Sequence, residues 1–91
     1  MTIEALYRII LSRRRRQPKD SYVAGLFSKG KDRIIQKVGE ESIEVVIASK
    51  DSDRGRIISE FADLLFHSLI LLVAVDIKPE EILEELERRR K

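Results

Sequence analysis

The 91-residue sequence contains no cysteine, no asparagine and no tryptophan, and it has only one histidine, one methionine and two prolines. Without cysteine there is neither a disulfide framework nor a thiolate metal site, so any metal must be bound by oxygen atoms or by His67. Such ligands favour a hard cation such as Mg²⁺ or Mn²⁺. Charged residues reach 37% of the chain, and together with the missing thermolabile residues this indicates a thermophilic source.

The sequence also lacks a long charge-free run. The longest stretch without a formal charge extends from Leu64 to Val75 and is shorter than the roughly 20 residues that span a bilayer, so we interpret it as a buried helix. The early acid Glu4 and the charges after it are not typical of a signal peptide. We therefore expect a cytoplasmic protein with no membrane partner. Residues 1–91 should form one domain with a small core, which favours oligomerisation.

The basic residues are concentrated in two runs, 13–16 and 88–91, although the net charge is only +2. Both runs fall where helices are predicted to end, and cations there complement the helix dipole. Neither run contains aromatic residues that could stack on bases. We interpret the runs as solvated helix ends and expect no nucleic-acid partner. A helical module that binds nucleic acid remains the alternative outside the enzymes.

Periodicity predicts an all-α bundle of about five helices, because no segment alternates apolar and polar residues with the period of a strand. The predicted helices are Thr2 to Arg15, Tyr22 to Lys29, Asp32 to Lys50, Asp53 to Asp76, and a fifth that begins at Pro79. Ser21 and Asp32 are expected to cap the second and third helices, with Gly30 just past the second. The run from Gly25 to Asp32 partly matches a phosphate-binding loop. It lacks the final hydroxyl residue and a preceding strand, so we interpret it as a helix end and a turn.

Four acids occupy mirrored positions on the third and fourth helices. If the two helices form an antiparallel hairpin about Ser52, Glu44 lies opposite Glu60. Glu41 lies opposite Asp63 in the same way. Both helices are apolar around most of their circumference, so the acids should line a cleft between packed helices. Converging like charges oppose folding unless a divalent cation binds them. We therefore predict that one or two metal ions are bound by Glu41, Glu44, Glu60 and Asp63.

Other residues on the same polar stripes leave alternatives open. Lys37 and Arg56 could instead hold the acids in ordinary salt bridges between helices, although the cations are fewer than the acids. His67 falls opposite Lys37, and a lone histidine there is more often a core residue or a partner of a ligand than a ligand itself. Lys31 and Arg33, at the start of the third helix, could reach an anionic substrate beside free backbone N–H groups.

The acids stand in a recognisable motif. The stretch Gly39-Glu40-Glu41-Ser42-Ile43-Glu44, followed after fifteen residues by Glu60-Phe61-Ala62-Asp63, resembles the E-E-x-x-E … E-x-x-D signature of the MazG-like, all-α nucleoside triphosphate pyrophosphohydrolases. The flanking segments Gln36-Lys37-Val38-Gly39 and Asp63-Leu64-Leu65-Phe66-His67 resemble, more narrowly, the phosphoribosyl-ATP pyrophosphatases of histidine biosynthesis. The likeness covers nearly the whole chain.

The resemblance implies Mg²⁺-dependent, or Mn²⁺-dependent, hydrolysis of the α–β phosphoanhydride of phosphoribosyl-ATP to phosphoribosyl-AMP and pyrophosphate. It implies that the four acids hold the metal and that Glu40 and Glu41 are catalytic, with Glu40 as general base or as partner of a ligand. Substrate contacts are expected from Lys31, Arg33, Lys37, Arg56 and His67. A homodimer or higher homo-oligomer, in which helices from two chains complete the bundle, is implied as well. A house-cleaning pyrophosphatase for ordinary or damaged nucleotides is the alternative among the enzymes.

Overall fold

A computed structural model describes residues 1–91 and contains helices but no strand, so the predicted all-α class is confirmed. The helices are α1 (Ile3–Arg16), α2 (Tyr22–Lys29), α3 (Lys31–Lys50), α4 (Arg54–Ala74) and α5 (Pro79–Arg89). Local side chains explain several of their ends. The Ser21 hydroxyl accepts a hydrogen bond from the Ala24 N–H at 3.1 Å, and the Asp53 carboxylate accepts one from the Arg56 N–H at 3.2 Å. Both satisfy N–H groups that have no partner within the helix.

The prediction that Asp32 caps α3 is wrong. Gly30 occupies that position with a φ of 102°, and no side chain bonds the free N–H groups there. Glycine adopts this conformation at little cost, which lets the chain pass from α2 into α3 through one residue. Asp32 lies in the first turn instead, where its charge complements the helix dipole. The run from Gly25 to Asp32 contains the end of α2, the single linking residue Gly30 and the first two residues of α3. The predicted helix end is therefore present, and the predicted turn is reduced to one residue.

The central element is the predicted antiparallel hairpin of α3 and α4, whose helices pack together more extensively than any other pair. The helices α1 and α2 cover the end of this hairpin that lies away from its loop. The buried core consists of Ile10, Val23, Leu26, Ile34, Leu69, Ile70 and Val73. Because its α3 member lies near the start of that helix and its α4 members near the end, the core occupies the half of the hairpin distant from the loop.

The basic run at the end of α1 is partly structural. An Nη atom of Arg14 donates to the backbone carbonyl of Val73 at 2.8 Å and lies 3.1 Å from the Asp76 carboxylate. The guanidinium group also lies over the Phe27 ring, 5.6 Å from its centroid. Arg14 therefore caps the last turn of α4. The second basic run begins in the last turn of α5, so both runs fall at helix ends, as predicted.

The hairpin leaves many apolar side chains exposed, most of them in the half near its loop. These are Ile35, Ile43, Val46 and Ile47 on α3 and Ile58, Phe61 and Leu65 on α4, which together we call the apolar face. The helix α5 adds Ile82, Leu83 and Leu86 and buries none of its own residues. The sequence pattern predicts this exposure, because α3 and α4 are apolar on more sides than one chain can cover.

The helix α4 is long and apolar enough to cross a membrane when only length and composition are considered, with a mean hydropathy of 1.9 over its most apolar window. The same helix carries two acids, Glu60 and Asp63, and the buried His67. Its final turns, from Leu69 to Val73, belong to the protein core. We therefore interpret α4 as the core helix that its charge-free run predicts.

Candidate metal centre

Three carboxylates converge on one side of the central hairpin. Glu41 comes from the middle of α3, and Glu60 and Asp63 lie three residues apart on α4. One carboxylate oxygen from each residue lies within 4.8 Å of the other two. Because Mg²⁺ binds oxygen at about 2.0–2.1 Å, small rotations would bring all three oxygens onto one ion. We call these three residues the acid cluster.

The acid cluster contains three of the four predicted ligands. Glu41 lies close to Asp63, as the symmetry about Ser52 predicts. Glu44 is half-buried one turn further along α3 and lies outside the cluster. Its role as a ligand stays a prediction.

Lys37 is the cation closest to the acid cluster. Its Nζ atom lies 3.2 Å from a carboxylate oxygen of Glu41 and 3.5 Å from one of Glu40. The side chains of Lys37 and Glu41 are only 18% and 13% exposed. The hydrogen bond to Glu41 raises the pKa of Lys37, against the opposing effect of burial. This pair is a salt bridge within α3, not one of the salt bridges between helices that the alternative describes.

The other two acids of the cluster have no such partner. No lysine or arginine nitrogen lies within 4.0 Å of the Glu60 or Asp63 carboxylates, and Arg56 instead pairs with Asp51 at 3.1 Å. One cation thus faces three carboxylates, two of them unpaired. A group of like charges this close favours a bound divalent cation, and oxygen donors are the ligands that Mg²⁺ prefers.

Glu40 is exposed and lies beside the cluster rather than in it. Its carboxylate accepts a hydrogen bond from the Gln36 amide at 3.1 Å and lies 3.7 Å from an Arg33 nitrogen. It contacts Glu41 only through Lys37, which lies between the two carboxylates. Of its two predicted roles, this arrangement favours that of an indirect partner of a ligand.

The remaining predicted substrate contacts are spread along the hairpin. Arg56 lies near the loop, and Arg33 is tied to Glu40. Lys31 lines a separate cavity of about 430 Å³ with Arg14 and Phe27. It precedes Glu41 by ten residues, which corresponds to about 15 Å along the helix axis. The structure therefore does not bring Lys31 to the acid cluster.

His67 is buried and both of its ring nitrogens have partners. Nδ1 lies 2.7 Å from the backbone carbonyl oxygen of Asp63, and Nε2 lies 2.7 Å from the Tyr22 hydroxyl. In this arrangement neither nitrogen is free for a substrate or a metal, which agrees with the expectation of a satisfied core histidine or a partner of a ligand. The sequence did not lead us to predict Tyr22 as a site residue. The available signal was its position directly after the predicted cap Ser21, in a chain with only two tyrosines.

The fold and this site together define an all-α protein with a carboxylate cluster suited to a divalent cation. Residues 3–90 match the family described as phosphoribosyl-ATP pyrophosphohydrolase, and the chain belongs to that family. The resemblance inferred from the motifs is thereby confirmed.

Curated relatives cover nearly the whole chain. A protein of Geotalea daltonii named phosphoribosyl-ATP pyrophosphatase is 52% identical over 87 residues, which are 96% of this chain and 82% of the relative. Relatives with the same name from Saccharolobus solfataricus and Pelotomaculum thermopropionicum are each 47% identical. They align over 89 and 88 residues, which are 98% and 97% of this chain and 95% and 90% of the relatives.

Proposed function

We propose that this chain hydrolyses the α–β phosphoanhydride of phosphoribosyl-ATP, giving phosphoribosyl-AMP and pyrophosphate in histidine biosynthesis. The family match over residues 3–90 supports the substrate. The observation that carries the chemistry is the convergence of Glu41, Glu60 and Asp63 from two helices. Polyphosphate hydrolysis requires charge neutralisation at the reacting phosphates, and these residues supply a place to hold the neutralising ion.

We further propose that the ion is Mg²⁺, with Mn²⁺ as a substitute, held by the acid cluster and by Glu44 as a fourth ligand. Oxygen-only donors fit these cations, and the unpaired charges of Glu60 and Asp63 favour their binding. When bound, the cation supplies neutralisation of phosphate oxygens and activation of a water molecule. Glu41 is proposed to have two roles. It would bind this ion, and it also accepts the hydrogen bond of Lys37.

The cations of α3, together with Arg56 of α4, are proposed to bind the phosphates of the substrate. Lys37 is the best placed to contact a phosphate, because its ammonium group already borders the acid cluster. An ammonium group has three N–H donors, so it can bind a phosphate as well as Glu41. Arg33 and Glu40 would orient Lys37 from the solvent side. The Arg56 side chain is 39% exposed and pairs only with the exposed Asp51. Such a surface pair is weak, so Arg56 can turn toward a substrate at small cost.

The apolar face supports a homodimer or higher oligomer. It is made of large side chains from both hairpin helices, and several are more than half exposed, as for Val46 at 61%. Large apolar side chains exposed in this number are typical of a subunit interface. We propose that a second copy covers it and that the assembled single-domain enzyme is cytoplasmic, with no nucleic-acid or membrane partner.

A comparison of substrates tests the proposed activity against its two alternatives. Purified protein with Mg²⁺ should release pyrophosphate from phosphoribosyl-ATP far faster than from dUTP, dCTP or ITP. Faster hydrolysis of the free nucleotides would instead identify a house-cleaning pyrophosphatase. Salt-sensitive DNA or RNA binding without any hydrolysis would identify the nucleic-acid-binding module.

A further inference from the structure

Two residues outside the acid cluster are joined to it through the backbone. The Tyr22 hydroxyl is 2.7 Å from Nε2 of His67, and Nδ1 of the same ring is 2.7 Å from the carbonyl oxygen of Asp63. Tyr22 is the first residue of α2, whereas the other two lie one turn apart on α4. The contacts therefore tie the start of α2 to the turn of α4 that carries a cluster carboxylate.

The directions of these hydrogen bonds follow from the groups involved. A carbonyl oxygen can only accept, so Nδ1 of His67 must carry a proton and donate it to Asp63. In the neutral ring, Nε2 then offers a lone pair, and the Tyr22 hydroxyl donates to it. In an α-helix, the usual partner of the Asp63 carbonyl is the backbone N–H four residues later. The ring N–H of His67 donates an additional hydrogen bond to that carbonyl.

Aromatic packing holds the hydroxyl in place. The Tyr22 ring stacks on Phe66 with centroids 6.4 Å apart and meets His67 edge-on at 5.6 Å. Phe66 and His67 meet edge-on at 5.4 Å. Such geometries are favourable for aromatic pairs. Packing against the Phe66 and His67 rings thus favours this orientation of the Tyr22 side chain, even though it is half-exposed.

We propose that Tyr22 and His67 are positioning residues, which fix the α4 turn that carries Asp63 and so hold its carboxylate in register with Glu41 and Glu60. This inference rests on the proposed metal function of the acid cluster. Removal of a group bonded directly to a metal ligand commonly weakens metal binding by about 10–100-fold. Tyr22 lies one step further away, so its hydroxyl should contribute at the low end of that range.

The test is Mn²⁺ binding to the substrate-free protein, measured by electron paramagnetic resonance for wild type, Tyr22→Phe and Tyr7→Phe. Tyr22→Phe keeps the ring and removes only the hydroxyl. Tyr7→Phe is the matched control, because its hydroxyl donates at 3.0 Å to the carbonyl of Ile77, away from the acid cluster. We expect about tenfold weaker Mn²⁺ binding for Tyr22→Phe and unchanged binding for Tyr7→Phe.

Two further measurements distinguish a positioning role of Tyr22 and His67 from a general structural role. In Tyr22→Phe the Mg²⁺ concentration for half-maximal activity should rise while kcat recovers at saturating Mg²⁺. His67→Gln, whose amide can still accept from Tyr22, should bind Mn²⁺ more tightly than His67→Ala. Equal Mn²⁺ affinity in wild type and Tyr22→Phe would overturn the positioning role alone. Absence of Mn²⁺ binding by the wild type would overturn the proposed metal centre itself.

Discussion

Lys37 places its ammonium group 3.2 Å from the carboxylate of Glu41, the one member of the acid cluster that α3 contributes. The two residues are four positions apart on one helix, so their contact is built into α3 before the hairpin forms. The pair neutralises one of three converging carboxylates when no metal is present. A bound divalent cation would then have to share Glu41 with Lys37.

Replacing Lys37 with methionine should therefore tighten metal binding. The change removes a positive charge near the ion, an effect on the order of 1 kcal/mol or about fivefold in Kd. The rise in Tm caused by Mg²⁺ should be larger than in the wild type, whereas pyrophosphate release should fall because a phosphate contact is lost. Arg8→Gln, which breaks the exposed pair with Glu4 on α1, is the control. An equal Mg²⁺-induced rise in Lys37→Met and wild type would contradict this expectation.

Asp63→Asn should separate stability from function. The substitution keeps the shape of the side chain and removes one of the like charges, so the metal-free protein should be at least as stable as wild type. Saturation with Mg²⁺ at about 100 times Kd stabilises a protein by about 2.7 kcal/mol, or on the order of 10 °C in Tm for a chain of this size. We expect Asp63→Asn and Glu41→Gln to lose that rise together with pyrophosphate release while staying helical by circular dichroism. Glu84→Gln, on the exposed surface of α5, should keep both, and a fully active Asp63→Asn would disprove the ligand assignment.

Glu44→Gln tests the predicted ligand that lies outside the cluster. If Glu44 moves onto the ion when it binds, the variant should bind Mn²⁺ about tenfold more weakly, as expected for the loss of one charged ligand. Calorimetric titration of Mn²⁺ into the substrate-free protein measures this directly. Unchanged affinity combined with lost turnover would remove Glu44 from the ligands and assign it to proton transfer.

Stability at alkaline pH should depend on Tyr7. Burial raises the pKa of its hydroxyl, and the carboxylates of Asp76, Glu80 and Glu81 raise it further. A raised pKa means that the folded state keeps a proton that the unfolded chain releases above about pH 10. The resulting stability is complete below that pH and is lost as the pH rises through the folded-state pKa. The free energy of unfolding should fall more steeply with pH for wild type than for Tyr7→Phe, and parallel curves would refute this.

The apolar face should control assembly. Ile43→Glu introduces a charge at a position that is 60% exposed in the single chain, so it should leave an isolated chain unharmed but disfavour a subunit interface. Light scattering after size exclusion should show an oligomer for wild type and a smaller species for the variant. Ser49→Glu, at an exposed polar position near the end of α3, is the control. A monomeric wild type would contradict the proposed dimer.

Much of this arrangement could be predicted from the sequence, because it depends on short-range rules. Helical periodicity gave all five helices, and the hairpin symmetry about Ser52 correctly paired Glu41 with Asp63. The same symmetry does not bring Glu44 into the group. The symmetry predicts which backbone positions face each other, whereas the side-chain rotamer decides where the Glu44 carboxylate lies.

Other features depend on tertiary packing and could not be predicted. Gly30 rather than Asp32 occupies the N-cap position of α3, because the short connection from α2 requires a positive φ. The bond between Tyr22 and His67 joins residues 45 positions apart, and no periodicity links α2 to α4. The partner of Arg56 could not be predicted either. Its side chain could reach the acids of the loop as well as those on the polar stripes of the helices, and it pairs with Asp51.

The most direct test of the central claim is pyrophosphate release from phosphoribosyl-ATP by the wild-type protein, assayed with Mg²⁺ and again after chelation with EDTA. The carboxylate cluster predicts rapid release with Mg²⁺, little with EDTA, and recovery when Mg²⁺ is restored. Release that is unaffected by the chelator, or none under either condition from the folded protein, would contradict the account.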